Sequence, residues 1–140
     1  IGVFDSAGAF VMEGVEALAG YGKIMKKVSE ASGVIPQIAV IAGVCGGAAA
    51  TIASMFDIVI GAEKTGSLYV NPPFITNNLE KGAELGKIST AAKEGAVQVV
   101  SEDDTSALAF SSPISRRTAR TARLIPPRTM KSTVSSMWIR

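Results

Sequence analysis

Histidine is absent from this 140-residue chain. The commonest general base near neutral pH and the commonest metal ligand are therefore missing, and any chemistry here has to do without an imidazole. Cysteine is nearly absent as well. Cys45 stands alone, which excludes an internal disulfide and a cysteine-based zinc site and fits a reducing, cytoplasmic setting. No metal is expected. Aromatic residues make up only 6% of the chain. No apolar run approaches the ~20 residues that a membrane span needs; the longest candidate, 38–56, is broken by Gly43, Gly46 and Gly47. No signal peptide is expected, because Ile1 leads straight into a strand-like run.

Two further absences divide the chain. Arginine does not occur before Arg116, and no acid follows Asp104. Residues 1–110 hold seven lysines against twelve acids, which leaves −5, whereas residues 111–140 hold six arginines and Lys131, which gives +7. The overall net charge of +2 hides this asymmetry. Residues 1–110 are read as one domain. Residues 111–140, rich in Arg, Ser, Thr and Pro, are read as a basic tail that is frameshifted, otherwise non-homologous or disordered. Such a stretch binds polyanions by counterion release. Trp138 is its only aromatic, so it lacks a stacking platform, and no nucleic-acid partner is expected.

What remains is 47% hydrophobic and 19% charged, the balance of a globular domain with a modest core. Strand-like runs are expected at 1–4, 37–42, 57–60, 67–70 and 97–100. Helical patterns are expected at 13–32, 46–55, 79–87 and 88–94, with a further helix starting at 105–110 that the tail does not continue. Asn71-Pro-Pro-Phe74 reads as a loop. In the first helix the apolar positions Val15, Leu18, Ala19, Ile24, Met25 and Val28 follow helical spacing. Strands alternating with helices indicate an α/β layered fold with parallel pairing.

The stretch Val40-Ile-Ala-Gly-Val-Cys-Gly-Gly-Ala-Ala-Ala-Thr51 combines these features. A β-rich run ends in tiny residues, and those open a helix. The first N–H groups of a helix have no intrahelical acceptor. With no bulky side chains in the way, a ligand oxygen reaches them directly. This is one way to build an oxyanion hole without a catalytic side chain. The plain alternative is tight helix–strand packing. Cys45 reads as a small buried residue rather than a nucleophile, since no histidine activates it. Asp5 and Ser6 read as a structural turn before an acid–base pair.

Three ordered stretches carry a family resemblance: Phe4-Asp-Ser-Ala-Gly-Ala9, Glu13-Gly-Val-Glu-Ala-Leu-Ala-Gly-Tyr-Gly22, and Ala31-Ser-Gly-Val-Ile-Pro-Gln-Ile-Ala-Val-Ile-Ala-Gly-Val-Cys-Gly-Gly47. Together they resemble the carboxyltransferase (beta) subunit of biotin-dependent acyl-CoA carboxylases, of the propionyl-CoA and methylmalonyl-CoA type, and the related decarboxylase alpha subunits. The resemblance covers roughly 1–60 well and continues more loosely to Ala109. It implies a crotonase-like ββα spiral, here as part of an N-terminal carboxyltransferase domain. It implies carboxyl transfer between carboxybiotin and a short acyl-CoA, or the reverse decarboxylation, through an enolate held by main-chain amides. The oxyanion donors would be Gly47 and Ala48, with Gly46 as the alternative. Ser6, Ala7, Gly8, Gly43 and Cys45 would line the acyl-CoA. Biotin would arrive on a separate carrier domain or subunit, and the full-length protein would form trimers or hexamers. The isolated fragment is expected to be inactive.

This chain departs from the family pattern at three points. It reads Gly43-Val-Cys-Gly-Gly-Ala-Ala where the family has Gly-Pro-Cys-Ala-Gly-Gly-Ala. Phe10 stands where the family carries arginine. Asn71-Pro-Pro-Phe74 replaces an Ile-Thr-Gly-Pro-like segment. Three other readings stay open: a crotonase-like hydratase, isomerase or hydrolase, with Glu63 or Asp57 near the glycine turn; a non-catalytic assembly fragment; and a basic-tailed binding module.

Overall fold

Residues 38–41 set the architecture, because every one of them is buried, at 0–2% exposure. A strand hidden on both faces reads as a continuous apolar run and belongs in the middle of a parallel sheet. The computed structural model, which describes residues 1–76 and 84–124, places this strand there. Strands β1 (Gly2–Ser6), β2 (Ile38–Gly46), β3 (Ile58–Ala62) and β5 (Val99–Ser101) lie side by side in the order β1-β2-β3-β5. All neighbours are parallel. The short β4 (Ser67–Tyr69) adds to the far end of β2, with Val44–Gly46 opposite Ser67–Tyr69.

Alternation along β2 divides the core in two. Ala39, Ile41 and Cys45 join Val59, Ile88 and the small residues of helix α2 (Ala48–Ser54) on one side. Ile38, Val40 and Ile60 join Ala107 and Ile114 of helix α5 (Asp104–Leu124) on the other. Each fully buried isoleucine is worth ~1.5–3 kcal/mol relative to exposure. Helices α3 (Pro73–Thr76) and α4 (Ile88–Lys93) complete the described residues, together with α1 (Val15–Ala31) and a single 3-10 turn at Val11–Glu13.

Several expectations needed correction. β2 does not stop at Ala42 but runs to Gly46, so α2 starts at Ala48. Pairing with β4 keeps this stretch extended, and that contact is non-local. Pro73 opens a short helix instead of lying within a loop, as proline can at a first helical position. Of the proposed helix at 79–87, residues 79–83 lie outside the described residues. Residues 84–87 form a turn and a bridge to Ser67 instead of a helix. In α1, Val28 is buried, but Val15, Leu18 and Ile24 are exposed.

The composition break at 110/111 falls inside α5, not between two elements. Ala107 and Ser111 are buried there and Ile114 packs on the core, an i, i+4, i+7 stripe. Ser111 Oγ donates to the Leu108 carbonyl at 2.7 Å, so its burial leaves its hydroxyl proton bonded. The tail reading for 125–140 lies outside the described residues.

Candidate functional site: the glycine turn at the end of β2

The candidate site forms where β1 and β2 lose register. Phe4 pairs with Ile41, but Ser6 pairs with Cys45, so Asp5 faces the surplus residues of a β2 bulge. The Asp5 carboxylate fills that gap, and its Oδ1 accepts the Val44 N–H at 3.2 Å. Gly43 is what makes room, because a Cβ there would collide with the Asp5 carboxylate. Asp5 and Gly43 are therefore structural partners, in keeping with the turn reading of Asp5.

Ser6 also has a local job. Its Oγ accepts the Gly8 N–H at 3.3 Å, and lies 3.5 Å from the Gly8 carbonyl and 3.3 Å from the Tyr21 hydroxyl. The Ala7–Gly8 turn then leans on the end of β2. A Cβ on Gly46 would lie 2.8 Å from the Ala7 carbonyl oxygen, and one on Gly8 would lie 3.3 Å from the Gly46 carbonyl oxygen. Only paired glycines let two backbones approach so closely.

Gly47 then reverses the chain at φ 56° and ψ −125°, a conformation that strains any residue with a Cβ. Its own N–H donates to the Tyr69 carbonyl at 3.0 Å. β4 therefore occupies the Gly47 amide in this structure. Sequence reasoning missed this partner, for nothing local signals that Tyr69 pairs there. Gly46 is buried within β2, whereas Gly47 and Ala48 are half-buried. Ala48 opens α2, so its N–H has no acceptor within the helix. The first intrahelical bond of this turn runs from the Thr51 N–H to the Gly47 carbonyl, at 3.2 Å.

Cys45 is fully buried beside this turn, and burial pushes its thiol up from 9.0 to about 11. A thiol this reluctant to ionise is no nucleophile at neutral pH. Asp57 belongs to the opposite end of the sheet. Its Oδ2 accepts the Gln37 N–H at 2.7 Å, just before Ile38 begins β2.

Two cavities flank the region. One, of about 310 Å³, lies between β1, α1 and α2 and is lined mainly by Phe4, Tyr21, Ile24, Ile52 and Phe56, with Asp5 and Ser6 among its walls. The other, of about 520 Å³, lies beyond β4 and includes Glu63, Ser67, Tyr69 and Lys87. Neither counts Gly46, Gly47 or Ala48 in its walls. No helix among the described residues is long and apolar enough to cross a membrane.

Comparison with known proteins fits this arrangement. The propionyl-CoA carboxylase beta chain of Roseobacter denitrificans is 37% identical over 114 residues, which covers 78% of this chain and 22% of that protein. The methylmalonyl-CoA decarboxylase subunit alpha of Veillonella parvula is 40% identical over 79 residues, which covers 56% of this chain and 16% of that one. A transcarboxylase 12S crystal structure, described as a hexamer assembly with hydrolyzed methylmalonyl-coenzyme A bound, superposes with a TM-score of 0.72. It is 32% identical, over 80% of this chain and 23% of that one. The beta subunit of Pseudomonas aeruginosa geranyl-CoA carboxylase shares the fold at a TM-score of 0.69 and 19% identity. The chain thus spans about a fifth of the length of these relatives. The α/β fold with parallel strand pairing expected from the sequence is the one observed, and these carboxyltransferase structures share it. The carboxyl transferase domain model matches residues 1–123, across the composition break and nearly to the end of α5, and on that match the chain belongs to the carboxyl transferase domain family.

Proposed function

We propose that this chain is part of a subunit that moves a carboxyl group between carboxybiotin and a short-chain acyl-CoA, or catalyses the reverse decarboxylation. The observation behind the reading is the Gly47 turn, which ends a buried strand and starts α2 at Ala48, a half-buried residue whose N–H has no acceptor within the helix. Deprotonating an acyl thioester beside its carbonyl puts negative charge on the thioester oxygen. A preorganised main-chain donor stabilises that charge, and losing one such donor costs ~3 kcal/mol. Ala48 is the donor in this reading, with Gly46 as the alternative. Gly47 contributes the backbone reversal, since its N–H is engaged by Tyr69. Ser6, Ala7 and Gly8 form the opposing wall, and Gly43 and Cys45 keep β2 in place beneath it.

The groups around the turn are amides, hydroxyls and the Asp5 carboxylate, which is engaged by the Val44 N–H, and the chain holds no histidine. That set fits a reaction whose base comes with the carboxyl donor. Biotin, on a carrier domain or subunit, would supply both the carboxyl group and that base. The relatives' names support an acyl-CoA substrate. A homo-oligomer and a cytoplasmic setting belong to the same reading.

Calorimetric titration of the 140-residue chain with propionyl-CoA and methylmalonyl-CoA tests it. Binding of an acyl-CoA, without turnover until a biotin carrier and the rest of a carboxyltransferase subunit are added, supports the reading. Hydration of an enoyl-CoA by the chain alone would move it to the hydratase class. Stable oligomers that bind no acyl-CoA would leave an assembly fragment. The large apolar side chains exposed at Phe10, Val11, Met12, Val15 and Leu18 are the observation on that side.

A further inference from the structure

We propose that Tyr21 is a positioning residue that holds the Ala7–Gly8 turn against the Gly46–Ala48 turn, acting through Ser6. The inference rests on the reading of the glycine turn as an oxyanion site, and it assigns α1 a part in that site.

Either hydroxyl can donate in the Ser6–Tyr21 contact, and with Tyr21 as donor the capacity of Ser6 is filled. A serine hydroxyl has one proton and two lone pairs. Ser6 Oγ takes the Gly8 N–H at 3.3 Å on one lone pair. Its proton has an acceptor in the Gly8 carbonyl, 3.5 Å away. The second lone pair is left for the Tyr21 O–H at 3.3 Å. With Tyr21 as donor, every valence of the Ser6 hydroxyl is used and both polar groups of Gly8 are held. Without Tyr21, the Ser6 side chain is free to leave its rotamer, and Gly8 loses its anchor.

Tyr21 is suited to this work. Its ring packs against the core cluster that contains Ile41, Cys45 and Ala49, so the hydroxyl is delivered from a fixed support. It also lines the cavity between β1, α1 and α2, along with Asp5 and Ser6. The held turn matters because a Cβ on Gly8 would lie only 3.3 Å from the Gly46 carbonyl oxygen, and one on Gly47 would lie 3.9 Å from Gly8 Cα. The Ala7–Gly8 turn and the turn that leads into Ala48 are therefore neighbours with no side chain between them. Misplacement at such a contact is enough to weaken a preorganised donor.

The test uses Tyr21→Phe, Ser6→Ala and Ser6→Thr in the full 140-residue chain. Phenylalanine keeps the ring packing and removes only the hydroxyl, so a purely packing role for Tyr21 predicts no change. The first readout is amide exchange and chemical shift at Gly8, Gly47 and Ala48 by nitrogen–proton NMR. Tyr21→Phe is expected to speed Gly8 exchange about tenfold and to shift the Gly47 and Ala48 signals. Val40 exchange in the core should stay as it was. Ser6→Ala should do the same or more, and Ser6→Thr should restore the wild-type pattern. The second readout is propionyl-CoA affinity, expected to fall severalfold in Tyr21→Phe and in Ser6→Ala. Unchanged Gly8 exchange and unchanged Gly47 and Ala48 signals in Tyr21→Phe overturn the proposal. If those signals move but the wild-type chain binds no acyl-CoA, the positioning contact stands and the carboxyltransferase reading is the one that fails.

Discussion

β2 and α1 are both apolar in sequence, yet the fold treats them in opposite ways. Ile38, Ala39, Val40 and Ile41 are 0–2% exposed, covered from both faces by elements of this chain. α1 has seventeen residues, and Val28 is the one that is buried. Val15 is 80% exposed and Leu18 61%. The strand's apolar content is consumed within the described residues, whereas much of the helix's is not. The sheet with α2 and α5 is therefore the self-supporting part. α1 is held to it at a few points: the Val28 side chain, the Tyr21 ring and hydroxyl, and the hydrogen bond from Gln37.

The widest separation between the two regions should appear on truncation. Ile41→Ala is expected to cost ~2–5 kcal/mol, the range for a buried isoleucine that leaves a cavity. Val15→Ala, on the outer face of α1, should stay within about 0.5 kcal/mol. Urea denaturation of the two variants measures both. Equal losses would erase the distinction drawn here.

A second contrast is chemical. Cys45 lies inside the sheet block, and burial raises its thiol from 9.0 to about 11. The unfolded chain releases that proton first as pH rises. Between those values the native state binds the extra proton, so stability falls with pH. The loss amounts to roughly 2–3 kcal/mol across that interval, and all of the stabilisation is present below pH 9.0. The check is Cys45→Ala, which should flatten the decline measured between pH 8 and 11. A decline of the same slope in both proteins would show that the thiol is not its source.

Two glycines of β2 and its turn sharpen the picture locally, because each is needed for a different reason. At Gly47 the nearest neighbour of an added Cβ is 3.9 Å away, so there is space, but φ is 56°. Gly47→Ala should therefore cost about 1–3 kcal/mol through backbone strain alone, and no second substitution should relieve it. At Gly43 the obstacle is the Asp5 carboxylate. The damage from Gly43→Ala should shrink when Asp5→Ala is added. A double-mutant cycle by thermal denaturation separates the two cases, and additivity at Gly43 and Asp5 would remove Asp5 from its place in the bulge.

How much of this was legible in the sequence follows the same division. The strand runs around Ile38 and Ile58 stood out, since continuous apolar residues bounded by turn signals have few other homes. The α1 stripe was legible in part, since Met25 and Val28 face inward but Val15, Leu18, Ala19 and Ile24 do not. Two apolar rows run along that helix, and the row that faces inward includes Ala17, Tyr21 and Val28 rather than Val15 and Leu18. Alanine weighs little in a periodicity argument, which is why Ala17 does not stand out against Val15 and Leu18. α5 was cut short for a similar reason, as its buried positions Ala107 and Ser111 are small or polar. At the candidate site the small-residue turn was visible. The partner of the Gly47 N–H was not, because it is a main-chain carbonyl on β4 whose position depends on pairing, not on side-chain type.

The smallest expected effect concerns the join between the two regions. Gln37 is buried, and its Nε2 donates to the Val28 carbonyl at 3.0 Å, tying the last turns of α1 to the start of β2. The Gln37 backbone is separately engaged. Its N–H meets Asp57 Oδ2, and its carbonyl accepts from the Asp57 and Ile58 N–H groups. Gln37→Met keeps the side-chain length and those backbone bonds while deleting the amide. The Val28 carbonyl would still accept the Ser32 N–H, at 3.0 Å, so no acceptor is orphaned. The global cost should then be only about 0.5–1.5 kcal/mol. Its distribution matters more than its size. Hydrogen exchange should accelerate along the C-terminal half of α1 and leave the β2 amides at their wild-type rates, because a loosened helix opens locally while the sheet opens only with the whole. If β2 exchange rises in step with α1, the helix and the sheet form one cooperative unit, and the distinction between a self-supporting block and a tethered helix is lost.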